Sequence, residues 1–225
     1  MNLFPLILDH SAAAVEQNGP VGSPAPAKAA PGSWAKGFLI YRNEFAGKDS
    51  TEQAWEFRKK ALLDYGAYVD AKNEVSLREF QDGDDPASRA IGRGKTAMVF
   101  HELRRVAGEE RFSSIAGLLA GEAVSARSTW DDIRKLSEKE TGRDLGWFFQ
   151  QWVDRKGLPD LRVENAAVRW NGSRYEVSFD LVQKGEVYVL DVPVVISFIR
   201  GGRKTETVKL DAEKKHVVLE VDEEP

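Results

Sequence analysis

Residues 145–163 read LGWFFQQWVDRKGLPDLRV, and the hydrophobic periodicity of the chain changes within this stretch. On its N-terminal side, apolar residues recur three and four positions apart, at Leu145, Phe148, Phe149, Trp152 and Val153. This spacing is typical of one face of an amphipathic helix. Beyond Gly157-Leu158-Pro159, apolar and polar residues alternate, as they do in a half-buried strand. We therefore predict a helical region that ends near Gly157 and a β region that follows it.

The region from Trp34 to Gly157 carries further apolar stripes at helical spacing. They run over Ala54–Tyr65, Phe100–Ala107 and Phe112–Leu119. Together with the stripe that ends at Val153, they predict a helical domain over residues 34–157.

Several residues mark the expected ends of these helices. Glycine suits a helix C-terminus, so the second and third stripes are predicted to end at Gly108 and near Gly121. A fourth helix is predicted to start with Ser128 as its N-cap. Asp131 and Asp132 then lie in its first turn, where carboxylates interact favourably with the helix dipole.

Residues 158–225 carry the alternating patterns of five strands joined at hairpin spacing. Asn171-Gly172 is the strongest short hairpin signal in the chain. The predicted strands are 161–170, 175–181, 187–199, 205–210 and 217–221. A helical block followed by strands predicts an α+β protein whose second domain is an antiparallel β-sandwich, or part of one.

The first 33 residues have a different composition from the rest. Alanine, proline, glycine and serine dominate Ser11–Ser33, and this predicts a disordered, low-complexity N-terminus over residues 1–33. The apolar run Leu3–Leu8 is interrupted by Pro5, follows no basic residue and is too short to span a bilayer. The sequence thus offers no convincing signal peptide or transmembrane segment. It leaves the compartment open, with the cytoplasm as the default expectation.

Composition excludes some classes of function. The chain has 225 residues, a formal net charge of −4 and 42% hydrophobic residues, which is ordinary for a globular protein. Lysine and arginine are nowhere concentrated without acidic neighbours, so no nucleic-acid surface is expected. The chain has no cysteine, which excludes disulfides, thiolate nucleophiles and cysteine metal sites.

A family resemblance rests on four segments that occur in a fixed order. Trp34–Tyr41 reads WAKGFLIY, and Ile91–Arg105 reads IGRGKTAMVFHELRR. Gly108–Phe112 reads GEERF, and Phe148–Pro159 reads FFQQWVDRKGLP. In this order they resemble the membrane alanyl aminopeptidase family, the gluzincins related to aminopeptidase N. The resemblance implies the helical C-terminal lobe of a thermolysin-like peptidase domain, followed by a partial β-sandwich.

The family's chemistry needs a zinc ion, and the residues that would hold it are absent from this sequence. Two histidines spaced i, i+4 on one helix face bind the metal, with a glutamate beside the first as general base. No H-E-x-x-H occurs, and the corresponding positions are Ala13–Gln17. The resemblance implies a third ligand, the glutamate of Trp-x-Glu-Gly, and Lys36 stands in its place. We therefore expect no metal ligand, no catalytic residue and no cofactor in this chain, although the family uses Zn²⁺.

A second departure concerns the stabilisation of the transition state. The tyrosine that opens the family's Tyr-x-Lys-Gly helix donates a hydrogen bond to the developing oxyanion. Arg93 stands at that position here. Both replacements point to a lost active site.

The three histidines do not form a recognisable site in the sequence. His101-Glu102-Leu103-Arg104-Arg105 has arginine where a zinc motif needs its second histidine. His10, His101 and His216 lie on separate predicted elements, so they are interpreted as unrelated surface or core residues. Gly92–Thr96 resembles a phosphate-binding loop only superficially, because the Walker spacing fails.

Three functional hypotheses follow. The first is a non-catalytic remnant or pseudopeptidase of the zinc aminopeptidase family, which has no enzymatic activity as the chain stands. The second is a piece of an active zinc aminopeptidase whose metal site lies in an N-terminal part that is not in this sequence. Lys36 separates these two, because a piece of an active enzyme should keep glutamate there. The third is a β-sandwich interaction module, which predicts an exposed apolar patch on the sheet.

The resemblance also leads to an expectation about partners. In the family, the helical lobe packs against a metal-bearing lobe and an N-terminal β-domain. No counterpart of either is recognisable in this sequence. We therefore expect exposed apolar side chains within Phe38–Phe45, and self-association or a protein partner through that surface.

Overall fold

The computed structural model describes residues 33–45, 52–121 and 127–225. The N-terminus over residues 1–33 is predicted to be disordered. Residues 1–32 of this segment lie outside the described residues. The described chain forms two compact units, which divide between Gly157 and Leu158. The first is helical and the second consists of strands, so the predicted α+β class is confirmed.

The helical unit is built from short and medium helices. They are α1 (Ala35–Ile40), α2 (Glu52–Tyr68), α3 (Pro86–Arg89), α4 (Thr96–Ala107), α5 (Glu109–Leu119), α6 (Trp130–Thr141) and α7 (Gly146–Phe149). None of the helices in the described part of the chain is both long and apolar enough to cross a membrane.

Three helices run directly into wider π-helical turns. Tyr41–Phe45 continues α1, Ala90–Lys95 joins α3 to α4, and Gln150–Asp154 continues α7. A π turn contains one more residue than an α turn and shifts the side chains beyond it around the helix axis. The sequence pattern did not indicate these turns.

The predicted helix ends are partly confirmed. α4 ends at Gly108, whose φ of 85° lies in the region that favours glycine. The N-cap of α6 is Thr129, so the prediction of Ser128 was wrong. Thr129 and Asp132 form a reciprocal capping box. The Ser128 carbonyl instead accepts a hydrogen bond of 2.8 Å from the indole of Trp34.

An aromatic cluster forms the core of the helical unit. Phe38 of α1 and Trp34, the residue before that helix, pack against each other and against Phe100 of α4. The ring centroids of these three residues lie 4.8–6.0 Å apart. Trp130 stacks on Phe100, with the ring centroids 5.8 Å apart. Phe149 reaches Trp130 from α7 at 6.5 Å. The helical stripe ending at Val153 is therefore part of the core, and the predicted burial of Phe148, Phe149 and Trp152 is confirmed.

The expectation of an exposed apolar surface within Phe38–Phe45 was wrong for two of its residues. Phe38 and Tyr41 are 2% and 1% exposed, because both face the aromatic cluster. Leu39 points outward and is 53% exposed. The side chain of Phe45 lies outside the described residues.

The second unit contains five antiparallel strands in two sheets. The strands are β1 (Asp160–Trp170), β2 (Tyr175–Lys184), β3 (Leu190–Ser197), β4 (Arg203–Leu210) and β5 (Lys214–Val221). The larger sheet has the order β1-β2-β5, and β3 pairs with β4 in the smaller one. Buried residues of both sheets, including Phe179, Leu181, Val192 and Ile196, form the core. The five predicted strands are therefore confirmed, with small shifts at their ends.

The turn between β1 and β2 follows from its sequence. Trp170 pairs with Tyr175, so residues 171–174 form the connection. The Asn171 side chain accepts hydrogen bonds from the backbone N–H groups of Ser173 and Arg174, at 3.0 and 2.9 Å. Gly172 has a φ of 100°, which a residue with a side chain rarely adopts.

Candidate functional site

The position of Lys36 is fixed by a close helix crossing. Its neighbour Gly37 lies against the start of α4 and the π turn before it. A Cβ atom on Gly37 would overlap the side chain of Thr96 and lie 2.9 Å from the carbonyl oxygen of Gly92. Only glycine allows this approach, so α1 is held against the Ala90–Lys95 turn and Lys36 lies beside it.

Lys36 forms an ion pair with Asp82. Its Nζ contacts the Oδ2 atom of that carboxylate, and both side chains are about half exposed. Asp82 belongs to the loop Gln81–Asp85, which precedes α3. Lys36 is therefore engaged with an acidic side chain of this unit.

Arg93 lies in the π turn and faces the same loop. Its Nη2 atom is 3.9 Å from Oδ1 of Asp84, a long contact at the limit of an ion pair. Asp84 is almost fully exposed, so this pair contributes little to stability. Lys36 and Arg93, the two positions that the sequence singled out, thus contact Asp82 and Asp84, which lie two positions apart in one loop.

The acidic loop is organised by a helix cap. Asp85 is the N-cap of α3 and accepts a hydrogen bond of 3.0 Å from the backbone N–H of Ser88. Hydrogen bonds from Ser88 lower the pKa of Asp85. The carbonyl of Asp84 accepts a hydrogen bond from the guanidinium of Arg89. These hydrogen bonds tie the loop to the start of α3.

A cleft of about 340 Å³ lies beside Arg93, between α2 and the π turn. Apolar residues such as Phe57 line it together with an ion pair between Lys60 and Asp64, which is 2.6 Å long. Arg93 and Arg89 also line the cleft. It is a shallow surface of mixed charge, and no acid–base pair is buried in it.

Lys95 is a buried cation that the sequence reasoning missed. Lys95 is only 3% exposed. Burial lowers the pKa of Lys95 to about 8, and the charge of Glu74 opposes this shift. Its Nζ donates a hydrogen bond of 3.2 Å to the carbonyl of Arg155. The ammonium therefore ties the π turn at Ala90–Lys95 to the end of the one at Gln150–Asp154.

The residues described here do not fit a zinc site. His101 is 2% exposed, and burial together with the charges of Arg58, Arg105 and Arg104 lowers its pKa to about 3. It is a neutral residue packed in the helical core. Across residues 33–45, 52–121 and 127–225, no three histidine, aspartate or glutamate side chains are grouped so that they could hold a metal ion. His10 lies outside the described residues.

His216 belongs to a polar cluster on the larger sheet. The carboxylate of Asp180 on β2 is largely buried and contacts His216 Nδ1, Lys214 Nζ and Asn165 Nδ2, each at 2.7 Å. Hydrogen bonds from Lys214, Asn165 and His216 hold the pKa of Asp180 well below its usual range. Asn165 reaches the carboxylate from a bulge in β1, where its φ is 54°. A charged residue between Phe179 and Leu181 was the only sequence signal for this cluster.

Comparison with known proteins gives a likeness of fold. No family model matches the sequence, and no curated protein does either. The chain is similar to the crystal structure of Legionella pneumophila aminopeptidase A in complex with aspartic acid, with a TM-score of 0.51 and 18% sequence identity. The match covers 84% of this chain and 21% of that one, so the chain spans about a fifth of that enzyme's length. The chain therefore has an aminopeptidase-like fold.

Proposed function

We propose that this chain is a pseudopeptidase, with a peptidase-related fold but without zinc and without peptidase activity of its own. The observation that carries the proposal is the position of Lys36. The sequence resemblance puts it where zinc aminopeptidases have a glutamate ligand, and its ammonium is paired with Asp82. An ammonium has donors but no lone pair for a metal, and its positive charge repels a dication.

Arg93 supports the same proposal, because it concerns the group that would stabilise the transition state. It replaces the tyrosine that the resemblance implies as the oxyanion's hydrogen-bond donor. Its guanidinium is directed at Asp84. A group that acts on an oxyanion must be aimed at the place where the negative charge develops, and an acidic neighbour competes for it.

Metal analysis tests the proposal directly. The full chain, produced without a histidine tag and in zinc-supplemented medium, is gel-filtered in buffer without chelator and analysed by mass spectrometry. We expect far less than one Zn²⁺ per chain. The Lys36→Glu variant serves as a matched control and should also lack zinc, because two ligands are still missing. A stoichiometric, tightly held zinc ion in the natural chain would overturn the proposal.

The rival proposal is that these 225 residues are part of an active zinc aminopeptidase whose metal site lies elsewhere in the protein. The short share of the Legionella enzyme that the chain spans is compatible with it. Glutamate is expected at position 36 in that case. Sequencing the gene upstream of the Met1 codon separates the two, because an in-frame H-E-x-x-H supports the rival and its absence supports the pseudopeptidase.

A third proposal, an interaction module, is favoured by the apolar surface of the β unit. Val163, Val168 and Trp170 of β1 are each about half exposed. Ile199, which follows β3, is 71% exposed. Where exposed apolar side chains form a contiguous patch, the surface is typical of one that binds other proteins. A pseudopeptidase whose β unit binds a partner would combine both proposals.

A further inference from the structure

Two guanidinium groups line the cleft between α2 and the π turn at Ala90–Lys95. Arg89 is the last residue of α3, and Arg93 follows four positions later in the π turn. Four residues make about one turn of a helix, so both side chains leave the same side of it. Both of them line the cleft. Like charges at this spacing repel each other, and a bound anion would offset that repulsion.

Contacts within the protein use few of the donors of these two groups. A guanidinium carries several N–H donors in a planar fork. Arg89 donates to the carbonyl of Asp84. Among the described residues, Arg93 makes only the 3.9 Å contact with the carboxylate of Asp84, which is too long for a hydrogen bond. Asp84 is 96% exposed, so water screens this pair and a ligand can displace it.

The charges around the cleft leave one positive charge in excess. The positive charges are those of Lys60, Arg89 and Arg93. Asp64 forms an ion pair with Lys60. Asp84 lies beside Arg93. Three cations and two carboxylates leave a single positive charge, which matches a ligand with one negative charge better than a dianion.

The rest of the cleft offers apolar surface next to these charges. The apolar residues that line it are Ile40, Phe57, Ala61 and Ala90. Ile40 and Phe57 are half-buried, so part of each side chain can contact a ligand. A cavity of about 150 Å³ holds a benzene molecule. The cleft, at about 340 Å³, therefore has room for an apolar group of similar size together with a carboxylate.

We propose that the cleft binds a monocarboxylate that carries a compact apolar group. The carboxylate accepts hydrogen bonds from Arg89 and Arg93, and the apolar group packs against Ile40 and Phe57. The C-terminal residue of a peptide and a short branched carboxylic acid share this chemistry. The inference goes beyond the pseudopeptidase proposal, because binding of a stable anion does not depend on whether the protein holds zinc.

Other ligands meet only part of what the cleft offers. A phosphate dianion exceeds the local positive charge and leaves the apolar surface in water. An uncharged apolar molecule gives the guanidinium donors no acceptor. A cation is repelled by both arginines. A carboxylate with an apolar group satisfies the donors and covers the apolar surface together.

Titration with small acids tests the proposal. The probes 4-methylpentanoate and N-acetyl-leucine share a carboxylate and a branched apolar group, and the second also has the amide of a peptide C-terminus. The controls are N-acetyl-leucinamide, which has no charge, and inorganic phosphate, which has no apolar group. NMR of the isotope-labelled full chain follows the backbone amides of 89–94 and the Nε–H of Arg93.

Both acids should bind with a Kd of about 1 mM, as expected for ligands of this size. The two controls should not saturate below about 10 mM. Tighter binding of N-acetyl-leucine would identify a peptide C-terminus as the source of the carboxylate. Equal binding of the two acids would identify a free carboxylic acid.

Three variants locate the binding. Arg93→Gln removes one charged donor and should weaken binding about tenfold or more. Asp84→Asn removes the competing carboxylate and should strengthen binding about twofold to threefold. Arg127→Gln is the matched control, because Arg127 is exposed and does not line the cleft, and it should leave binding unchanged. Unfolding midpoints equal to that of the natural chain show that each variant is folded.

Three outcomes overturn the proposal. Unchanged affinity of folded Arg93→Gln for N-acetyl-leucine would put the ligand elsewhere. Equal affinity for N-acetyl-leucinamide would show that the charge is not recognised. Saturable binding of phosphate in the range of the two acids would show that an anion alone is sufficient. Zinc is measured in the same preparations, so failure of this inference and failure of the pseudopeptidase proposal are distinguishable.

Discussion

Replacement of Gly37 by alanine tests the helix crossing that positions Lys36. The new methyl group would overlap the side chain of Thr96 and lie 2.9 Å from the Gly92 carbonyl oxygen. Thr96 is only 1% exposed, so it cannot turn aside into solvent. Overpacking of a buried site costs about 1–3 kcal/mol, and the higher helix propensity of alanine offsets part of it. We expect a net loss of about 2 kcal/mol, or a Tm about 4–8 °C lower.

The same substitution at Gly66 provides a control of opposite sign. Gly66 lies in α2, and a Cβ atom there would meet nothing within 4 Å. Alanine at that position should raise the stability by about 0.5–1 kcal/mol, because it restricts the unfolded chain and favours the helix. In a Thr96→Gly background, Gly37→Ala should be less destabilising, since its main obstacle is gone.

Thermal and urea unfolding followed by far-UV circular dichroism measure these effects, because the helical signal reports on the unit that contains Gly37, Gly66 and Thr96. Equal midpoints for Gly37→Ala and Gly66→Ala would refute the crossing, as would a Gly37→Ala loss that Thr96→Gly leaves unchanged.

Three further predictions concern chemistry and charge. The double variant Lys36→Glu, Arg93→Tyr should not hydrolyse an aminoacyl anilide, because two zinc ligands and the general base are still absent; detectable turnover contradicts this. The pKa of His101 is lowered to about 3 in the folded protein, so the free energy of unfolding should fall as the pH drops from about 6.5 towards 3. The loss should reach up to about 1.4 kcal/mol per pH unit. In urea titrations, His101→Gln should flatten this slope. The lowered pKa of Asp180 means that its carboxylate stabilises the fold above about pH 4, and this stabilisation is lost on further acidification. Asp180→Asn should therefore be less stable than the natural chain at neutral pH and lose less of its stability in acid. Identical acid profiles of the two proteins would contradict this.

Features that depend on neighbours along the chain were predictable from the sequence. Gly108 ends α4 because glycine adopts a positive φ without strain. Asn171 and Gly172 form the turn between β1 and β2 through bonds within four residues. The change of period at Gly157 is followed by the first strand at Asp160. Each signal and its consequence lie within one turn of the backbone.

Features that depend on distant partners were not predictable in this way. Ser128 and Thr129 are both good N-cap residues, so the sequence alone does not decide between them. In the structure, the indole of Trp34, which lies 94 positions away, donates a hydrogen bond to the Ser128 carbonyl. The resemblance predicts an exposed Tyr41, but Phe100 and Phe112 cover it. The partners of Asp180 likewise come from two other strands.

The π turn between α3 and α4 predicts where the sequence of a protein with a straight helix would differ from this one. The N–H of Thr96 reaches back five residues to the carbonyl of Ile91, so the turn holds one residue more than an α-helix needs. Loss of a single residue within Ala90–Lys95 would restore a regular helix and rotate α3 by about 100° relative to α4. A relative with a straight helix here should therefore carry a one-residue deletion and keep its similarity on both sides. Such a deletion would also move a different side chain into the place of Arg93.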